Sequence, residues 1–133
     1  MTDAGSEPAD YTWTLSTAVK WNAGMANFHG VNTSTVWDTA ATSATSTSTT
    51  GLVLPGVTTT TAGAMLVGGV ALNSSSINPT PQSGWTETLE ATGVQVTEMA
   101  HQLRSGAGAT GNQTWTMSTA AAVTGWMRAL RPA

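Results

Sequence analysis

Residues 11–16 read Tyr-Thr-Trp-Thr-Leu-Ser, and residues 113–118 read Gln-Thr-Trp-Thr-Met-Ser. In both stretches apolar and hydroxyl side chains alternate, and in an extended strand every second side chain points to the same face. The apolar faces comprise Tyr11, Trp13, Leu15, Trp115 and Met117. The alternation predicts two half-buried strands, each with a polar outer face.

Branched and aromatic residues, which fit a pleated sheet, recur between turn signals along the rest of the chain. Further strands are predicted at residues 24–31, 35–38, 52–57, 64–72, 85–90, 94–103 and 123–130. Turn-like stretches are predicted at residues 39–51, 73–84 and 105–112. The first is a low-complexity Thr/Ser/Ala run that alone resembles a disordered segment, but Thr-rich runs also form flat, weakly registered edge strands. The pattern predicts an all-β fold of about eight short strands, an antiparallel β-sandwich or jelly-roll-like domain. This single domain is expected to span residues 11–133, after a polar N-terminal arm at residues 1–10.

Two of the predicted strands carry local signals of irregularity. Residues 64–72 are nearly all apolar, which indicates a central strand buried on both faces. Gly68 and Gly69 within it predict a bulge or close packing. In residues 94–103 the apolar phase switches between Val96 and Met99, which predicts a second bulge.

The sequence contains an internal echo. The heptapeptide at residues 12–18, Thr-Trp-Thr-Leu-Ser-Thr-Ala, returns at residues 114–120 with Met in place of Leu. At the same offset Met25 corresponds to Met127. A solenoid would need more copies, so we interpret the echo as two equivalent hairpins within one sandwich.

Composition excludes several classes of protein. Charged residues make up 8% of the chain, and four cations against seven anions leave a net charge of -3, so nucleic-acid binding is not expected. Without Cys there is no disulfide or thiolate site. The longest apolar run is too short to cross a membrane as a helix. The polar, acidic first ten residues lack the features of a secretion signal, so export by this N-terminus is not expected.

No motif points to catalysis, a metal or a cofactor. His29 and His101 have no second His at ligand spacing, and a metal site needs three or four convergent donors. Paired carboxylates for glycoside hydrolysis would have to come from Glu87, Glu90 and Glu98. Solvated charges that discourage edge pairing explain these residues more simply. We expect a protein that is not an enzyme.

The six Trp residues are the best functional lead, because Trp can fill a core, form an interface or stack on a sugar. Trp13 and Trp115 alternate with Thr and are predicted to be core residues. Trp21, Trp37 and Trp85 lie near predicted loops and are the candidates for exposure. The candidate contact residues for a partner protein or a glycan are therefore Trp21, Trp37, Trp85, Glu87 and Gln82.

Four segments have distinctive sequences: Glu-Pro-Ala-Asp-Tyr-Thr-Trp-Thr at 7–14, residues 24–31, Gly-Trp-Thr-Glu at 84–87 and Ala-Leu-Arg-Pro-Ala at 129–133. They resemble segments of β-sandwich domains in actinobacteriophage virion proteins and actinobacterial surface proteins. The resemblance covers nearly the whole chain, supplies no catalytic residues and implies display on a virion or outside the cell. Domains of that family typically have additional strands before the Glu-Pro segment, so either Met1 starts a shortened version or those strands are missing from this chain. A shortened sandwich is expected to leave an open sheet edge for another subunit.

Two functions follow as expectations. The first is a bacteriophage structural protein, assembled in the host cytoplasm into the virion as a capsid decoration, head-fibre or tail-surface module. It would contact capsid or tail subunits and associate with itself. The alternative is a carbohydrate-binding or adhesion module on a secreted or cell-surface protein, with Trp85, Glu87 and Gln82 against a cell-surface glycan.

Overall fold

The structure is a computed structural model that describes residues 8–133. The first seven residues of the predicted polar arm lie outside the described residues. Residues 8–133 contain no helix, and their strands pair antiparallel throughout, which confirms the predicted all-β, sandwich-like fold. The strands are β1 (Thr42–Leu54), β2 (Thr58–Thr59), β3 (Met65–Leu72), β4 (Pro79–Pro81), β5 (Thr86–Ala91), β6 (Val96–Leu103), β7 (Gly108–Ala109) and β8 (Gln113–Leu130).

The long strand β8 organises the sheet. Along one edge it pairs with β1, while its other edge pairs first with β4 and then with β3. The remaining order runs from β3 through β6 to β5, and β2 and β7 form a separate two-stranded ribbon. The β1–β8 register shifts twice between Ser46 and Gly51, a region of irregular pairing that permits a bend.

The bend stacks the two ends of the β1–β8 ribbon face to face. A Cβ placed on Gly125, near the end of β8, would meet the side chain of Leu52, which pairs with the beginning of β8. We call the strand set β5-β6-β3-β8-β1 the larger layer and the set β4-β8-β1 the smaller layer. β1 and β8 contribute one half to each layer.

The core lies between the layers. Its largest fully buried apolar side chains are Trp115, Leu54, Leu66, Leu72, Met127 and Val96. The Trp85 and Trp115 rings meet edge to face with their centroids 5.1 Å apart. Trp115 and Met117 are buried as predicted, and the same parity continues to Met127, so apart from Thr119 the odd-numbered residues of β8 point inward.

The predicted bulge in β6 is wrong. The β3–β6 register is continuous, and burial alternates regularly from Val96 to Ala100. Glu98 occupies an inward position, so Met99 falls on the outer face without any change of phase. The apparent switch arose because a charged residue stands where an apolar one was expected. Gly68 and Gly69 also lie in continuous register, and close packing is therefore their role.

The predictions for the N-terminal third are also wrong in part. Residues 11–16 and 24–31 form no named strand, and residues 35–38 form only a single bridge, between Trp37 and Leu130. The Thr-rich residues 39–51, predicted as a turn, instead supply most of β1. Thr fits a pleated surface well, and this stretch pairs antiparallel with β8. The two copies of the heptapeptide are therefore not equivalent hairpins.

Asp38 fastens the segment before β1 to the body of the domain. Its carboxylate accepts hydrogen bonds from the backbone and hydroxyl groups of Thr60 and Thr61 and forms an ion pair with Arg131. Burial disfavours the ionised form, but these hydrogen bonds outweigh it and lower the pKa of Asp38 to about 2. Val31 adds a bridge to Pro132, so residues 31–38 are held against the C-terminus.

A substitution at Gly68 tests how closely the residues around it are packed. A Cβ at this position would lie 2.9 Å from the Trp126 carbonyl oxygen and 3.2 Å from the Trp115 ring. We expect Gly68→Ala to lower the free energy of unfolding by about 1–3 kcal/mol through overpacking, measured by urea denaturation. Gly106→Ala is the matched control, because nothing lies within 4 Å of its Cβ position. A change of about 0.5 kcal/mol or less in both variants would contradict this account.

Candidate interaction surface

Four of the six Trp side chains are exposed. Trp13 is 57% exposed, Trp21 50%, Trp126 41% and Trp37 38%. Isolated exposed apolar residues are common, but large aromatic rings gathered on one side of a domain mark an interaction site. We call these four residues the aromatic surface.

The N-terminal segment is held against the larger layer next to β5. The side-chain amide of Asn22 donates to the carbonyl oxygens of Ala91 and Gln95, at 2.6 and 3.1 Å. Gly24 packs against Leu89, and Phe28 meets His101 edge to face at a centroid distance of 6.0 Å. These contacts position Trp21 beside the outer face of the larger layer.

Two concavities lie on this side of the domain. Trp13 and Trp21, with Asn22 and Ala23, line an open cleft of about 310 Å³. Gly24 then borders a smaller groove of about 160 Å³, whose other walls include Trp126 and Leu89. Residues 21–24 therefore lie between two concavities. The cleft contains the Trp13 and Trp21 rings, and the groove contains the Trp126 ring.

Trp37 joins the same outer face through Arg128. The Arg128 guanidinium lies 4.1 Å from the centre of the Trp37 ring, and its Nε donates to the Thr39 carbonyl oxygen at 2.8 Å. Arg128 and Trp126 are two residues apart on β8, so both point to the outer face. One face of Trp37 is thus covered by a cation.

The structure does not bring the five predicted contact residues together in one site. Trp21 and Trp37 are exposed as predicted, but Trp85 is buried, so its predicted exposure is wrong. The Trp85 indole N–H donates to the Gln113 side chain at 2.8 Å. Glu87 and Gln82 are exposed, yet they do not flank an exposed ring.

The reason for the error at Trp85 is its position just before β5. Gly84 adopts a left-handed φ of +93°, a turn conformation that favours glycine. The chain then brings Trp85 against Trp115 between the layers. Proximity to a predicted loop was therefore a poor guide, because the loop delivers this ring inward.

Two members of the aromatic surface were missed. Trp13 was predicted to be buried because it alternates with Thr, but residues 11–16 have no strand partner among residues 8–133. Trp126 differs in parity from Trp115 and Met127, and alternation along one continuous strand assigns it to the outer face. The signal for Trp126 was present in the sequence, whereas that for Trp13 was not.

Glu98 is the most perturbed ionisable group in the core. Its Oε1 accepts a hydrogen bond from the Trp115 indole N–H at 3.1 Å, while its Oε2 is buried without a hydrogen-bond partner. Burial raises the pKa of Glu98 to about 7, and the negative charges of Glu87 and Glu90 add to the shift. The Trp115 hydrogen bond opposes it. Glu98 is 1% exposed, which leaves no access for a substrate.

No group of three or more His, Asp or Glu side chains among residues 8–133 is placed to hold a metal ion. The same residues include no helix long and apolar enough to cross a membrane. Searches of protein-family models, curated proteins and solved structures found no match to this chain.

Glu98 makes the stability of the domain depend on pH. Because its folded pKa lies above the ordinary value of 4.5, the protonated form stabilises the fold, and this stability is lost as pH rises from about 4.5 to about 7. The loss is about 3 kcal/mol. Glu98→Gln keeps an oxygen for Trp115 and cannot ionise. We expect urea denaturation at pH 8 to show the variant to be more stable than the wild type.

At pH 4 the two proteins should differ much less, so the change in their difference with pH isolates Glu98 from other titrating groups. A constant difference between pH 4 and pH 8 would contradict the raised pKa.

Proposed function

We propose that this chain is a structural protein of a bacteriophage virion, a capsid decoration, head-fibre or tail-surface module that acts through protein–protein contacts. The observation that carries the proposal is the aromatic surface. Trp85 and Trp115 already fill the core, so the four exposed Trp rings are not needed for packing within one copy. Exposed Trp residues are typical energetic anchors of protein interfaces.

The polar groups around these rings favour a protein partner over a glycan. Sugar sites combine stacking rings with free hydrogen-bonding groups for the hydroxyls. Among residues 8–133, the cleft beside Trp13 and Trp21 is lined by one polar side chain besides the two indole groups, Asn22, whose amide already donates to two carbonyl oxygens. The Trp37 ring is covered on one face by Arg128. Large aromatic rings with few hydrogen-bonding groups between them suit burial against another protein.

The virion setting rests on the resemblance of residues 7–14 and 84–87 to segments of domains in actinobacteriophage virion proteins, a resemblance shared with actinobacterial surface proteins. The sparse charge of the chain fits a module that many copies display side by side, since repulsion between neighbours is weak. Many weak contacts to a repeating lattice of capsid or tail subunits add up through multivalency.

Trp21→Ala tests this function. Loss of an anchoring Trp costs an interface about 2 kcal/mol or more, so the affinity should fall roughly thirtyfold. We expect virions from cells that make this variant to carry far fewer copies, as counted by quantitative mass spectrometry. Trp21 is half exposed, so the fold should persist, and circular dichroism checks it.

Thr116→Ala is the matched control, since Thr116 is exposed on β8 within the smaller layer. Unchanged incorporation of Trp21→Ala would contradict the proposed contact surface. The alternative, a carbohydrate-binding or adhesion module, would gain support if cell-wall glycans quench the Trp fluorescence of the wild type and leave that of Trp21→Ala unchanged.

A further inference from the structure

Residues 12–18 have a sequence typical of a strand, but they pair with no strand among residues 8–133. Six of their seven residues are identical to residues 114–120. The second copy lies within β8, where residues 114–116 pair with β1 on one side and residues 115–117 pair with β4 on the other. The first copy lies in no strand, and its apolar side chains are exposed: Tyr11 41%, Trp13 57% and Leu15 46%. We call residues 11–18 the arm.

The arm is exposed along its whole length. Among residues 11–18 the close aromatic contact is internal, between Tyr11 and Trp13 at a centroid distance of 6.3 Å, and Trp13 also borders the open cleft. Within residues 8–133, the first side chain that bonds this segment to the larger layer is Asn22, whose amide donates to Ala91 and Gln95. An eight-residue strand spans roughly 25 Å, so an arm that pivots before Asn22 reaches well beyond the surface.

The strand edges of this domain differ in their protection. β4 carries Pro79 and Pro81, which cannot donate to a ladder. The edge strand β5 carries Glu87 and Glu90. The side-chain amide of Asn22 donates a hydrogen bond to the carbonyl oxygen of Ala91, the last residue of β5. Such prolines, charges and covers discourage the addition of a further strand.

The outer edge of β1 carries no such prolines or charges, and the register shifts of β1 lie between Ser46 and Gly51, before its regular end at residues 52–54. Over its thirteen residues β1 contains no charged residue and no Pro, and within residues 8–133 it pairs with β8 alone. Its end at Leu52 and Leu54 points into the core of the smaller layer, which has only three strands there. This edge is therefore suited to receive one more strand.

We infer that the arm of one copy adds as a strand to the outer edge of β1 in a second copy of this chain. β1 pairs with residues 113–116 on its inner edge, so the arm has the sequence of the strand that pairs with this part of β1 on the opposite edge. Alternation sets the register: Tyr11, Trp13 and Leu15 turn inward beside Leu52 and Leu54 and extend the smaller layer. The backbone supplies affinity and the alternate side chains supply specificity.

Each copy offers one arm and one edge, so the arm-to-edge contact can be reciprocal, which gives a dimer, or run head to tail, which gives a ring or an open filament. The inference rests on the proposed function for its setting, since a self-assembling module suits a virion surface. The exchange withdraws Trp13 from the aromatic surface of its own copy and leaves Trp21, Trp37 and Trp126 available for capsid or tail subunits, because Trp21 stays beside Asn22.

The test uses full-length chain and measures self-association by sedimentation velocity over a range of concentrations. Thr14→Pro removes a backbone donor from the arm and should weaken association at least tenfold, while Thr14→Ala should behave as the wild type. Val53→Lys places a charge on the β1 edge, where Val53 is 48% exposed, and should weaken association to the same extent. Circular dichroism confirms that each variant is folded.

Mixing the two defective variants gives the sharpest result. Thr14→Pro retains an intact edge and Val53→Lys retains an intact arm, so together they should form a capped heterodimer that neither forms alone. A wild type that stays monomeric throughout, or a Thr14→Pro variant that associates normally, would overturn the inference. Incorporation into virions is measured separately, so a monomer that still enters particles contradicts the arm exchange and leaves the proposed function standing.

Discussion

The bend in the β1–β8 ribbon is the constraint on which the rest of the structure depends. One continuous pair of strands contributes to both layers, so the two faces that form the core are covalently tied together. The ribbon bends where its register shifts, and Gly125 lets Leu52 approach from the opposite layer. Residues from both halves of the ribbon enter the core cluster: Leu52, Leu54, Trp115 and Met117 at one end, and Val123, Met127 and Ala129 at the other.

The core that the bend creates is not wholly apolar. Glu98 and Trp115 meet at its centre through a single hydrogen bond, and the second carboxylate oxygen has no hydrogen-bond partner. Burying such a group costs free energy, which is minimised when the carboxyl is protonated. In return, the bond fixes the orientation of the largest buried side chain, next to Trp85. The buried carboxyl group lowers the stability of the core, and its hydrogen bond holds the Trp115 ring in one orientation against Trp85.

The chain contains few charged side chains. The surface of the domain therefore consists largely of other groups, with hydroxyl side chains on β1 and aromatic rings on the outer face of the larger layer. The Thr-rich strand leaves one sheet edge open, and the N-terminal arm remains without a strand partner within residues 8–133. An open edge and an unpaired strand sequence in one chain are complementary features, and both favour assembly over a solitary role.

The sequence by itself determined the all-β class and the strands with strong local patterns, residues 64–72 and 113–118, because alternation and apolar runs report directly on burial. Only the tertiary structure decided between the two copies of the heptapeptide. Residues 114–117 became a core strand because β1 and β4 pair with them, whereas residues 12–18 are exposed. A strand is stable only with a pairing partner, and the partner here is a Thr-rich run whose low-complexity pattern is compatible with either a turn or an edge strand. The same dependence on distant contacts turned Trp85 inward and left Trp13 at the surface.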